Sequence, residues 1–148
     1  MSHESSIITL TMKVGDVFQI PLPDGRFAYG RIYRDASVGI YRKVSEKPNN
    51  PPLGSRDFLF IVGMYRDVPY SNNWPNVGKD PFPTIESEWP PPMFVKDVIS
   101  GSYQIYHRGT FRDADRSEVS DLEEAAVWDS DHIIDRIVRE LEKEELLN

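Results

Sequence analysis

Cysteine is absent from the 148 residues. That absence excludes disulfide staples, thiolate zinc sites and a cysteine nucleophile together. Long apolar runs are missing too, and none approaches the roughly 18 to 20 residues that a membrane-crossing helix needs. The opening "MSHESSIITLTMK" has an early glutamate and no basic n-region, so no signal peptide is expected and the chain is read as cytoplasmic. There is no phosphate-cradling glycine loop, no GxSxG elbow and no paired-histidine metal motif. Glycine is outnumbered by proline, 9 to 12, which predicts long, stiff connections.

Positive charge is scarce in the last quarter of the chain. The formal net charge is -7, yet from Asp113 onward 13 carboxylates face only 4 basic side chains, so residues 1–112 carry a slight positive excess. Phosphate binding needs a basic footprint, so the C-terminal part is a poor partner for nucleic acid. It is suited to a basic protein.

What is present is mainly β-pattern. A chain of this length buries roughly two-thirds of its unfolded surface, and residues 1–148 are read as one domain, β-rich over about 7–112 and helical over about 120–147. "SIITLTM" predicts a first strand over Ile7–Met12. In "VFQIPL", Phe18, Ile20 and Leu22 share a face directed at the core, and Pro21, without an N–H, marks an edge or an exit from the sheet. "PDG" at residues 23–25 predicts a tight turn, and "RFAYGRIYR" returns with Phe27, Tyr29, Arg31 and Tyr33 on one face and Ala28, Gly30 and Ile32 on the other. A third strand is expected over Ser37–Val44. The run Phe58–Val62 predicts the most buried strand, covered on both faces.

Seven prolines between Pro69 and Pro92 predict a long irregular segment without a helix. "MFVKDVI" and "YQIYH" read as two more strands, with "TFR" a short continuation. Ser120 and Glu123 match a capping box, and Ser130 is placed to cap a last helix carrying Ile133, Ile134, Ile137, Val138 and Leu141 at helical spacing. The expected class is α+β: a strongly bent antiparallel sheet or small β-barrel with C-terminal helices.

Candidate chemistry is thin. Of His3, His107 and His132, only His107 near a strand end is placed for general-base work, and no spacing ties it to a nucleophile. The acids Asp113, Asp115, Glu118, Asp121, Glu123 and Glu124 lack the oxygen pattern and turn glycine of a calcium loop. Glu86 and Glu88 sit too close in sequence to flank a glycosidic bond from opposite sides. The reading is therefore of a chain with no catalytic residue, metal or cofactor. Phe27, Tyr29 and Tyr33, with Arg31 and Arg34, form an aromatic and basic pattern that suits base stacking, which makes a small-barrel nucleic-acid-binding module the alternative.

The stretch "KVGDVFQIPLPDGRFAYGRIYRDASVGIYRKV", Lys13 to Val44, resembles the opening of the immunity protein 26 family, chiefly through "GDVFQIPL" and "DGRFAYGRIY". The resemblance implies a bacterial binding protein made beside a polymorphic or contact-dependent inhibition toxin. It also implies direct occlusion of that toxin without enzymatic activity, and strands combined with C-terminal helices. It carries no contact residue over to this chain. Contact is expected from the acidic stretch, Asp113, Asp115, Glu118, Asp121, Glu123 and Glu124, which would speed encounter with a basic, nuclease-like toxin domain. Tyr70, Trp74 and Trp89 in the long loop are the expected apolar anchors.

Overall fold

Pro23, Asp24 and Gly25 turn the chain between β1 (Asp16–Pro21) and β2 (Phe27–Tyr33) in the computed structural model, which describes residues 12–147. The Asp24 carboxylate accepts a hydrogen bond from the Arg26 backbone N–H at 2.9 Å, and Gly25 takes a φ of +90° that a side chain would resist. β3 (Ser37–Tyr41) and β4 (Phe58–Met64) continue the meander antiparallel. The strand expected over Ile7–Met12 falls, Met12 apart, outside the described residues.

The proline-rich segment is more ordered than its composition predicts. It holds a one-turn helix, α1 (Val68–Ser71), because Pro69 lies in the first turn, where the missing N–H costs no bond. It then supplies β5 (Asn76–Lys79), which pairs with the outer edge of β1, and a 3-10 turn at Glu86–Glu88. A second sheet follows: β6 (Met93–Lys96), β7 (Tyr103–His107) and β8 (Thr110–Ala114) in an antiparallel meander. "TFR" is thus part of a full hairpin strand, turned by Arg108 and Gly109 with positive φ.

No helix begins at Ser120. The capping box forms earlier, at Asp115 and Glu118, and opens the short α2 (Arg116–Val119). Residues beyond it are drawn into ladders instead, as β9 (Glu123–Glu124) parallel to β6 and β10 (Val127–Trp128) parallel to β4. Among the described residues only α3 (Ser130–Leu147) is a long helix. Its start is capped by Asp129, whose carboxylate accepts from the His132 N–H at 3.0 Å, while the Ser130 hydroxyl donates to Asn72 Oδ1 at 2.9 Å. The predicted cap is displaced by one residue because Ser130 ties α3 to the end of α1.

The class is α+β, built from two open mixed sheets ordered β10-β4-β3-β2-β1-β5 and β8-β7-β6-β9. Neither sheet closes into a barrel: β10 does not pair with β5, nor β8 with β9. The main core lies between one face of the larger sheet and α3, with Phe18, Ile20 and Leu22 meeting Ile133, Ile137 and Leu141. Burying those three helix side chains contributes roughly 5–9 kcal/mol before ordering costs. Gly30 is required inside this layer, since a Cβ there would stand 2.7 Å from Val38 Cγ2. β4 is not the most enclosed strand. Phe60, Val62 and Met64 are buried and alternate with half-buried neighbours, whereas all five residues of β3 are buried beneath cover on both faces.

Candidate partner-binding surface

The second face of the larger sheet decides one of the two functional alternatives. Tyr29 is 0 % exposed and Arg31 2 %, and Tyr33 is also buried, so the aromatic and basic pattern of β2 is sealed. The Arg31 guanidinium donates to the backbone oxygens of Asp80 (2.8 Å) and Pro81 (2.9 Å) and lies over the Phe82 ring. The Tyr29 hydroxyl is held between Gln19 Oε1 and the Asn50 N–H. Asp80 gathers the lid: its carboxylate accepts from the Tyr41 hydroxyl, the Gly54 N–H at 3.2 Å and the Arg56 guanidinium at 3.0 and 3.2 Å. Burial opposes the charge on Asp80, but these donors, with Arg31 nearby, outweigh it and hold the carboxyl below its ordinary value. Burial and the bond to Asp80 push the Tyr41 phenol up. Bases cannot reach this face, and of the five residues proposed for stacking only Arg34 is exposed, where it pairs with Glu88. The base-stacking alternative falls on that geometry.

The smaller sheet is built differently. Registered partners share a face, so Phe111, Asp113, Tyr106, Gln104, Met93, Val95 and Glu123 line one side, while Phe94, Ile105, Arg112 and Glu124 line the other. The first side overhangs the end of the larger sheet and leaves a groove of about 280 Å³ between Met93, Val95, Tyr106, Phe111, Gly63 and Val127. The Tyr106 hydroxyl donates to the Asp35 carboxylate across the gap at 2.5 Å, fixing the two sheets together. Gly63 permits the close approach on the floor, where a Cβ would meet the Ala126 carbonyl oxygen at 2.7 Å. Phe111 and Val127 remain 58 % and 56 % exposed at the groove, and Val98 and Ile99 protrude almost fully from the β6–β7 turn. Phe111 was not legible in sequence, because "TFR" reads only as a short continuation and "TFRDA" puts an apolar and a charged residue on each face. Nor was Val127, because a two-residue strand has no period.

The predicted acidic stretch does not form one patch. Asp115 and Glu118 cap α2, and Glu118 also accepts from Arg112 at 3.0 Å. Glu123 accepts two bonds from Arg136 at 2.8 and 2.9 Å. Asp113, Asp121 and Glu124 are exposed, Asp113 and Glu124 on opposite faces of the sheet, with only a long bond from Gln104 to Asp113. The three expected anchors separate as well. Trp74 is 4 % exposed inside the main core, and half-buried Tyr70 packs edge-on to Phe18. Trp89 is half-buried beneath the guanidinium groups of Arg34 and Arg108, riveting the β7–β8 turn to the larger sheet. His107 is half-buried at the turn and its backbone carbonyl accepts from Thr110.

Among the described residues no three His, Asp or Glu side chains gather to hold a metal ion. Nor is any helix among them long and apolar enough to cross a membrane. The smaller sheet presents an apolar groove, an exposed strand and dispersed carboxylates. No curated protein and no solved structure matches the chain. The family described as Immunity protein 26 matches residues 13–105, which span β1 through most of β7 and so take in the sealed sheet as well as the start of the exposed one. By that match over more than half of its length, the chain belongs to the immunity protein 26 family.

Proposed function

We propose that this protein neutralises a co-produced bacterial toxin domain by binding it and covering its working surface, without catalysis or a cofactor of its own. The observation that carries the reading, beyond the family, is how unevenly the two sheets are finished. Charged groups buried in the larger sheet are paired inside the fold, whereas the smaller sheet leaves Phe111 and Val127 exposed at an open groove, Asp113 exposed on the groove face, Glu124 exposed on the opposite face and Asp121 exposed just before β9. Exposed aromatic and aliphatic side chains rimmed by charge are the composition of a protein interface.

The contact surface is therefore placed on the smaller sheet, with Asp113, Asp121 and Glu124 as the steering carboxylates. Asp115, Glu118 and Glu123 support it by holding α2 and α3. Trp89 braces the β7–β8 turn beneath it, while Tyr70 and Trp74 serve the main core. The carboxylates suit a basic toxin, such as a nuclease, that itself binds phosphate. Co-expression with the C-terminal domain of the toxin encoded beside this chain tests the reading. Growth is restored and the two proteins co-purify; toxicity that persists with no complex formed would sink it.

A further inference from the structure

The described residues present four sheet edges, and three are blunted. β9 and β10 are two residues long. β5 has four residues, ends in Lys79 and meets β1 through a shifted register. Short edges, lysines and bulges are the devices by which sheets avoid accepting another strand. β8 carries charge in Arg112 and Asp113 but is neither short, bulged nor lysine-bearing. Its five residues pair with β7 in unbroken register, contain no proline or lysine, and are exposed at every position except the half-buried Ala114.

The hairpin fixes which backbone groups point outward. The Arg108–Gly109 turn closes on the pair His107 and Thr110, so Thr110, Arg112 and Ala114 bond inward to β7. The N–H and C=O of Phe111 and Asp113 point away from the sheet, and among the described residues the sole hydrogen bond there is a 3.5 Å approach of the Arg112 guanidinium to the Asp113 oxygen. The side chains of the same two residues project onto the groove face. A strand added here would gain a backbone ladder and lie along both an aromatic ring and a carboxylate.

We propose that β8 is the docking strand for the toxin: an extended toxin segment adds antiparallel or parallel to its outer edge, with an apolar side chain beside Phe111 and a basic one beside Asp113. This rests on the occlusion reading above and names the element that performs it. Charge selects this occupant over a second copy of the chain. Full-length antiparallel self-pairing of β8 would centre on Arg112 and set it directly against its own copy, a like-charge cross-strand pair.

Because the Asp113 N–H bonds nothing among the described residues, Asp113→Pro blocks the edge without breaking the hairpin, and Asp113→Ala removes the carboxylate but keeps the N–H. Binding of the neighbouring toxin's C-terminal domain is measured for the wild type and both variants, with melting temperatures as a check on folding. The Pro variant binds at least about tenfold more weakly than the Ala variant, the loss of one backbone bond plus the misfit of the ring. In the wild type, exchange of the Phe111 and Asp113 amide hydrogens is fast when alone and slow in the complex. Equal affinity of the two variants overturns the docking strand while leaving occlusion standing. Slow exchange in the toxin-free monomer assigns the edge to another segment of this chain, and a dimer abolished by Asp113→Pro assigns it to a second copy; both overturn the proposal. A wild type that binds no toxin removes the occlusion reading and this inference with it.

Discussion

Asp80 shows how one residue determines which face of a sheet is available. Buried at 4 % exposure, it draws Arg56, Gly54 and Tyr41 over the second face of the larger sheet and lies beside Arg31. Removing one partner of a buried charged set leaves the others uncompensated, so Asp80→Asn is expected to cost about 3 kcal/mol at neutral pH. The pH dependence follows from the depressed carboxyl. Its stabilisation is complete above the ordinary carboxylate range and is lost as pH falls below about 4 toward the lowered folded value. Urea unfolding at pH 7 and pH 3 should therefore show a wide gap between wild type and Asp80→Asn that narrows in acid. A gap of equal size at both pH values would mean that the carboxylate charge contributes nothing.

At the scale of elements, β9 and α3 are joined by the Glu123–Arg136 pair, with the guanidinium lying 4.2 Å from the centre of the Phe60 ring. This two-toothed contact holds the outer strand of the smaller sheet against the main core. A double-mutant cycle with Glu123→Ala and Arg136→Ala should give a coupling of about 1–2 kcal/mol, measured by chemical denaturation. Additive single effects would show that the sheet is held by packing alone. Such a link explains what was and was not legible in the chain. The hairpin at "PDG", the inward set Phe18, Ile20 and Leu22 and the apolar face of α3 depend on residues a few positions apart, and local pattern sufficed for them. A capping box at Ser120 looked equally valid locally. It lost because Glu123 has a better partner 13 positions on and the Ala125 N–H bonds the Phe94 carbonyl at 2.8 Å. The base-stacking face failed for the same reason: Asp80, 49 residues after Arg31, supplies the lid. The acidic stretch proposed for contact was readable as composition, but its division between two faces follows from strand register.

For the molecule as a whole, the charge is placed to act at a distance. The formal net charge is -7, and the chain from Asp113 onward, which forms β9, β10, α2 and α3, is where the carboxylates collect. Several of these are engaged in ion pairs or caps within the fold. Asp121, Glu124 and Glu142 are exposed, and none of them is engaged in an ion pair or side-chain hydrogen bond among the described residues. Reversing those three to lysine lifts the formal net charge to -1 and leaves the β8 edge untouched. For a basic toxin, such a change acts on diffusional encounter before contact forms. Association at low ionic strength should slow by about tenfold, with the difference shrinking once salt exceeds about 0.15 M, where the screening length is about 8 Å. Dissociation should change by less than about threefold, because contacts made after docking govern it. Stopped-flow association across a salt series, paired with dissociation by competition, separates the two rates. A slower association with the same salt slope as wild type would show that the lysines obstruct the surface sterically. Unchanged association would show that the toxin is not steered by charge, leaving the groove and the β8 edge to supply recognition without it.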